Sequence, residues 1–95
     1  MKIRSDDKII INKQLITKDV EGIVYILDPR NGTIHTLNET ASFIWRCLKT
    51  SQTLNQLTEK LVEHFQIDNN QARTDLKEFI EKYLEQSLVV ISNKK

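Results

Sequence analysis

The N-terminal third of the chain consists of short apolar, β-branched runs separated by polar turns. Lys8 to Thr17 reads KIIINKQLIT, which predicts a first strand with a bend near Asn12-Lys13. A turn at residues 20–22 precedes the run IVYILD at residues 23–28. This run is short enough to favour a strand over a helix. The pattern therefore predicts two strands before residue 29.

A tight hairpin follows at Asp28-Pro29-Arg30-Asn31-Gly32. Proline presets φ at the second position of a turn, and Asn-Gly supplies the positive φ values that tight hairpins need. Thr33 to Leu37 then predicts a short third strand. We expect the first 37 residues to form a small antiparallel sheet, in which the strand at 23–28 is central and the strand at 33–37 is an edge.

From Asn38 onward the apolar period changes from two to about 3.6 residues, which predicts three helices. Asn38 is a good N-cap for the first helix, Thr53 and Gln56 match a capping box for the second, and Asp68 caps the third. The three apolar stripes are Ala41, Ile44, Trp45 and Leu48; Leu54, Leu57, Leu61 and Phe65; and Ala72, Leu76, Phe79, Ile80, Tyr83 and Leu84. Residues 88–91, LVVI, predict a final short strand.

Composition is ordinary for a globular domain, with 39% apolar and 28% charged residues. We predict a single domain at 8–91, a flexible N-terminus at 1–7 and a flexible tail at 92–95. The near-neutral formal charge of +1 argues against a nucleic-acid binder, which usually has a basic field. The first residues lack the apolar region of a signal peptide, and no apolar run reaches the ~20 residues that cross a bilayer. The expectation is therefore a cytoplasmic protein without a membrane partner.

Catalytic chemistry finds little support in the sequence. His35 and His64 lie far apart without ligand-type spacing, and Cys47 is the only cysteine, so we expect no metal site and no disulfide. Gly22 and Gly32 are the only glycines and both belong to turns, so no glycine-rich phosphate loop is present. We expect neither enzyme activity nor a cofactor.

Binding is the better-supported class of function. The strand at 33–37 has no proline, no lysine and no inward charge, which are the usual devices that protect a sheet edge from a foreign strand. The third helix has an apolar stripe wide enough to leave part of Leu76, Phe79, Ile80 or Tyr83 uncovered beside that edge. The alternative is that the stripe is entirely core and that the edge strand is simply solvated.

The succession of motifs resembles one family. The run VYILDPRNGTIHTLNETA at residues 24–41, followed by Ile44 and Trp45, is similar to the hairpin and helix start of PqqD-like domains. These domains are recognition elements for ribosomally made peptide natural products. The third helix and its end resemble the pattern D-h-x-x-F-h-x-x-L-x-x-x-G-L, with Tyr83 where leucine is common and Ser87 where glycine is usual. The likeness covers residues 8–91.

The resemblance implies an α+β, winged helix-turn-helix-like fold in which a three-stranded antiparallel sheet precedes three helices. It also implies non-catalytic binding of the leader segment of a precursor peptide, by strand addition to the third strand and burial of side chains against the third helix. The implied peptide-binding residues are Thr33, Ile34, His35, Thr36, Leu37, Ala72, Arg73, Leu76, Lys77, Phe79, Ile80 and Tyr83.

The resemblance further implies partner enzymes that act on the captured precursor. We expect the leader peptidase and cyclase of lasso-peptide synthesis, with a radical-SAM peptide-modifying enzyme as the alternative. A winged-helix DNA-binding protein would share the architecture, but residues 69–86 carry three basic and four acidic side chains instead of a basic recognition helix. A structural subunit that pairs its own edge strands is the remaining alternative.

Overall fold

The computed structural model describes residues 3, 4 and 6–92, which form two small antiparallel sheets and three helices. The elements are β1 (Lys8–Ile11), β2 (Ile16–Val20), β3 (Ile23–Asp28), β4 (Thr33–Thr36), α1 (Glu39–Cys47), β5 (Gln52–Thr53), α2 (Leu54–Phe65), α3 (Asn69–Glu85) and β6 (Val89–Ile91). One sheet has the strand order β2-β3-β4 and the other β5-β1-β6. The predicted α+β class, with an antiparallel sheet ahead of three helices, is confirmed.

The segment predicted as one bent strand from Lys8 to Thr17 is two strands in different sheets. The chain leaves β1 at Asn12, whose side-chain oxygen accepts from the Gln14 N–H at 3.0 Å and whose carbonyl accepts from the Leu15 N–H at 3.2 Å. The Asn12 amide also donates to the Ser87 carbonyl at 2.8 Å. This local turn ends the first ladder, so the prediction of a single strand was wrong although the position of the bend was right.

The short C-terminal strand is confirmed as β6, and its partner is β1. The first strand therefore closes the domain by pairing with the last one. On its other side β1 pairs with β5, a two-residue strand that the sequence pattern did not predict because it is too short to show alternation. Ile3 and Asp7 are both buried, so the packed region extends to the N-terminal side of residue 8. Residues 1, 2, 5 and 93–95, parts of the two predicted flexible ends, lie outside the described residues.

The helix starts follow the predicted capping residues. The Asn38 side chain accepts from the Ala41 N–H at 2.8 Å, and Thr53 and Gln56 form the reciprocal capping box. The end of α3 uses Ser87 in a left-handed conformation (φ 59°), and the Leu88 N–H closes the turn on the Tyr83 carbonyl at 2.9 Å. The left-handed cap forms with serine in the position where the family pattern has glycine.

The core lies between the helices and the two sheets. Its fully buried members come from every layer, among them Ile9, Ile26, Leu48, Leu57, Leu61, Leu76, Ile80 and Leu88. A buried hydroxyl helps to join α1 to the β2-β3-β4 sheet, because Ser42 accepts from the Val24 N–H at 2.9 Å. Within the described part of the chain, no helix is long and apolar enough to span a bilayer.

Candidate functional site

Strand β4 is an edge of the β2-β3-β4 sheet, as predicted. It pairs with β3 through the couples Asp28↔Thr33, Leu27↔Ile34, Ile26↔His35 and Tyr25↔Thr36, and no strand of the described residues lies on its other side. The ladder continues one residue further, where the Leu37 N–H donates to the Val24 carbonyl at 2.9 Å.

The hydrogen bond at Leu37 fixes which backbone groups of β4 are available. In an antiparallel ladder, alternate residues direct both their N–H and C=O groups at the same neighbour. Leu37 faces β3, so His35 and Thr33 face it as well, whereas Ile34 and Thr36 direct their backbone groups at the open edge. This geometry places two donors and two acceptors along the edge, belonging to Ile34 and Thr36.

Leu37 itself is not available at the edge, which corrects the expectation that the whole segment 33–37 could pair with a ligand. Its side chain is buried in the core, its N–H is used by β3, and its carbonyl accepts from the Ser42 hydroxyl at 3.2 Å. Ser42 thus bridges the Val24 N–H and the Leu37 carbonyl, in place of a direct ladder bond between them. The free edge ends at Thr36 for this reason.

The side chains of β4 divide between the two faces of the sheet. His35 lies opposite the buried Ile26, so its half-buried ring is on the inner face, towards α1 and the core, and Thr33 shares that face. Ile34 and Thr36 point to the outer face, where both are exposed. A strand added to this edge would also alternate its side chains between the inner and outer faces.

An ion pair ties the β3–β4 hairpin to the C-terminal end of α3. Asp28 receives two hydrogen bonds from the Arg30 guanidinium, at 2.8 and 2.7 Å, and Arg30 also donates to the carbonyls of Gln86 and Ser87 at 3.3 Å each. The hydrogen bonds from Arg30 hold the pKa of the Asp28 carboxyl below its usual value, against the opposing effect of burial. A cation at the last carbonyls of α3 also complements the helix dipole. The start of β4 is thereby held beside the end of α3.

Three aromatic rings connect α3 to α1. Phe79 stacks on Tyr83 with centroids 4.2 Å apart, and Tyr83 meets Trp45 edge to face at 6.0 Å. Trp45 and Tyr83 are buried, and burial raises the pKa of the Tyr83 hydroxyl, whereas Phe79 is only half-buried. Of these three rings, Phe79 is the one with substantial exposed surface.

Several predicted groove residues of α3 are core residues instead. Ala72, Leu76 and Ile80 have no exposed surface, so they cannot line a groove. Arg73 and Lys77 were expected on the rim, but the Arg73 guanidinium donates to Asn55 of α2. At 100° per residue, Phe79 lies about 120° from Arg73 and about 160° from Lys77 around the helix, on the opposite flank of the buried stripe. Of the other predicted helix residues, Phe79 is half-buried, Tyr83 is buried and Lys77 is exposed.

Three polar residues share the Phe79 flank of α3 and were not predicted as site residues from the sequence. Asp75, Lys82 and Gln86 all lie within about 60° of Phe79 around the helix. Asp75 accepts from Gln71 at 2.9 Å, and the Gln86 carbonyl is bonded by Arg30. Their position next to Phe79 on the helical wheel was the sequence signal that could have found them.

The nucleophilic and metal-binding residue types are not assembled in this region. Burial raises the pKa of the Cys47 thiol, and His64 stacks on Phe43 with centroids 4.1 Å apart. Both lie in the groove between α1 and α2, not beside β4. Among residues 3, 4 and 6–92, no three His, Cys, Asp or Glu side chains are grouped as a metal site would require.

Comparison with known proteins agrees with the sequence resemblance. The family model described as coenzyme PQQ synthesis protein D (PqqD) matches residues 24–89, which include β3 except its first residue, β4, all three helices and the first residue of β6. No curated protein matches the chain significantly.

A solved structure has the same fold. The chain is similar to TbiB1, whose structure was determined in complex with the TbiA(beta) leader peptide, with a TM-score of 0.79 over 90% of this chain and 98% of that one. The two sequences are 17% identical, so the comparison establishes the shared fold.

Proposed function

The chain belongs to the PqqD family, and on this premise we propose that it is a non-catalytic recognition domain for the leader segment of a precursor peptide. The leader adds as a strand to β4 and places side chains against the Phe79 flank of α3. The observation that carries the proposal is the free edge of β4 at Ile34 and Thr36, held beside α3 by Arg30. TbiB1, which has the same fold and was solved with a leader peptide, supports this reading.

Backbone pairing supplies affinity with little sequence preference. Two donors and two acceptors at Ile34 and Thr36 provide four hydrogen bonds, at about 0.5–1.5 kcal/mol each. Since the inner and outer side chains of an added strand alternate, every second leader residue faces α3. These inward residues determine which leader is accepted.

The inward leader residues meet an aromatic and a charged surface. An apolar leader residue buried on the exposed part of Phe79, above Tyr83, contributes ~1.5–3 kcal/mol. Asp75 and Lys82 on the same flank select leader residues of the opposite charge, mainly through the association rate. With the cost of ordering a disordered leader, about 2–5 kcal/mol, we expect a dissociation constant between roughly 10 nM and 10 μM.

The chemistry belongs to partner enzymes. Holding the leader raises the effective concentration of the attached core peptide at an enzyme that binds the same complex. We propose the leader peptidase and the cyclase of lasso-peptide synthesis as these enzymes. A radical-SAM peptide-modifying enzyme is the alternative, and the genes adjacent to this one would decide between them.

Proline substitution tests strand addition directly. Thr36→Pro removes an N–H that points at the open edge, so the β2-β3-β4 ladder remains intact while one leader bond is lost and the incoming backbone is obstructed. We expect leader affinity in calorimetry to fall at least 30-fold.

Thr17→Pro is the matched control. The tight turn at Glu21 and Gly22 makes Val20 and Ile23 a hydrogen-bonded pair, so by alternation the Thr17 N–H points at the opposite, β2 edge of the same sheet. This variant should bind the leader like the parent. Equal leader affinities of the two proline variants would contradict strand addition to β4.

A further inference from the structure

The outer face of the β2-β3-β4 sheet has an unusual distribution of side chains. An antiparallel sheet that covers a core on one side normally presents polar residues on the other. In β2 this placement of polar and apolar side chains is reversed. The strand register puts Thr17 and Asp19 on the inner side, while Ile16 and Val20 point outward and are 57% and 45% exposed. Burial in the core does not explain these two apolar residues.

The neighbouring strands extend the same surface. Leu27 lies between Ile16 and Ile34 in one row across the sheet, and Ile34 is 67% exposed. Tyr25, at 39% exposure, lies in the next row, and Ile23 pairs with Val20 at the end of the sheet. The outer face therefore presents eight side chains, of which only two are polar. The other six are Ile16, Val20, Ile23, Tyr25, Leu27 and Ile34.

The two polar side chains of the outer face come from β2 and β4. Lys18 and Thr36 flank Tyr25 on either side, and Lys18 is the one charged residue among the side chains that the three described strands direct outward. An aliphatic stem with a terminal ammonium covers apolar surface while its charge stays at the rim. A complementary surface would be apolar and would present a carboxylate to Lys18.

We propose that this outer face is the docking surface for the enzyme that processes the bound precursor. The inference rests on the proposed function, because the face ends at the edge where the leader enters. A strand added to β4 continues the row Ile16–Leu27–Ile34 with an outward leader side chain. The enzyme therefore binds a composite surface, which consists of this sheet face and the outward residues of the leader.

Interface size favours this occupant over a second copy of the chain. Eight outward side chains are well below the ~20–30 residues per side of a standard stable interface, so two such faces alone would make a weak dimer. An enzyme that also contacts the leader strand gains the missing area only when the leader is bound. The composite surface thus makes enzyme binding conditional on the loaded state.

The test uses the full chain, the leader peptide of the precursor encoded beside its gene, and the processing enzyme from the same gene neighbourhood. Ile16→Ser with Val20→Ser, and separately Lys18→Glu, change the face without touching the Ile34 and Thr36 backbone or the α3 flank. Leader affinity measured by calorimetry should stay within twofold of the parent. Enzyme affinity for the loaded complex, and the rate of processing at limiting enzyme, should fall at least tenfold.

Val90→Ser is the matched control, since Val90 is an apolar residue, 37% exposed, in the other sheet. It should leave both affinities unchanged. Parent-like enzyme binding by the face variants overturns the docking surface, and so does enzyme affinity that is equal with and without leader. A parent that is dimeric in sedimentation equilibrium and monomeric after the face substitutions overturns it in favour of a second copy. Parent-like leader binding by Thr36→Pro would contradict the proposed function, whereas parent-like enzyme binding by the face variants contradicts only the docking surface, so the two failures are distinguishable.

Discussion

Ser42 holds the C-terminal end of β4 to β3. Its buried hydroxyl accepts from the Val24 N–H at 2.9 Å and donates to the Leu37 carbonyl at 3.2 Å. Both backbone groups belong to buried residues. Ser42→Ala leaves a donor and an acceptor without a partner in the interior, where each unsatisfied group costs about 1–3 kcal/mol.

We therefore expect Ser42→Ala to lower the free energy of unfolding by about 2–4 kcal/mol, with the lower half of the range reached if one group finds water. For a domain of this size that loss corresponds to a fall in Tm of roughly 10–25 °C. The variant should remain folded at 25 °C, since small domains have about 5–15 kcal/mol of stability. Urea denaturation followed by circular dichroism measures the change.

Thr58→Val is the control for removing a buried hydroxyl. Thr58 is equally buried, but its hydroxyl donates to the Leu54 carbonyl at 2.7 Å, which lies one turn earlier in α2 and also has its helical partner. Because no backbone group is orphaned, the free energy of unfolding should change by less than about 1 kcal/mol. If both variants lose the same stability, or if Ser42→Ala loses less than the control, the bridging role assigned to Ser42 is wrong.

Two further predictions concern Phe79 on α3 and the ion pair between Asp28 and Arg30. Phe79→Ala should weaken leader binding at least tenfold in calorimetry, because the lost apolar contact is worth ~1.5–3 kcal/mol. Lys77→Ala, on the opposite flank of α3, is the control and should leave leader affinity unchanged. Equal leader affinities of the two variants would exclude Phe79 from the site. Because Arg30 lowers the pKa of Asp28, this pair stabilises the fold at pH values above the ~3.9 of an unfolded aspartate, and that contribution is lost as the pH falls through the lowered folded-state pKa. Asp28→Asn should therefore reduce the free energy of unfolding at pH 7. It should also make this free energy, measured by urea denaturation, fall less steeply between pH 5 and 2. A fall as steep as the parent's would exclude Asp28 as its source.

Local chemistry made much of the fold predictable. The Asn38, Thr53 and Asp68 caps and the 3.6-residue stripes act over a few neighbouring residues, and the structure uses them. The hairpin at residues 28–33 also forms, but of the Asn31-Gly32 pair only Gly32 adopts the positive φ that was predicted for both. The edge position of β4 followed from the order of the strands alone. The stripe also placed Phe79 and Tyr83 on the apolar side of α3, because a stripe reports which side of a helix is apolar.

The tertiary structure decided which apolar residues of a stripe are buried and which sheet each strand joins. A stripe cannot say that Leu76 is fully buried and Phe79 half-buried, since the difference depends on how α3 packs against α2 and β6. Likewise β1 leaves the sheet that its sequence suggested, because the β6 strand, almost eighty residues later, offers it a ladder.

The sequence by itself determined that this chain has small strands, three capped helices and an unprotected strand that begins at Thr33, because these follow from torsional preferences and periodicities of adjacent residues. Only the folded chain decided that Ile34 and Thr36 carry the free backbone groups, that Arg30 joins their hairpin to α3, and that the outer sheet face is apolar. Register, flank and face depend on contacts between residues distant in sequence, and a shift of one residue in β2 would exchange the Ile16 and Thr17 faces.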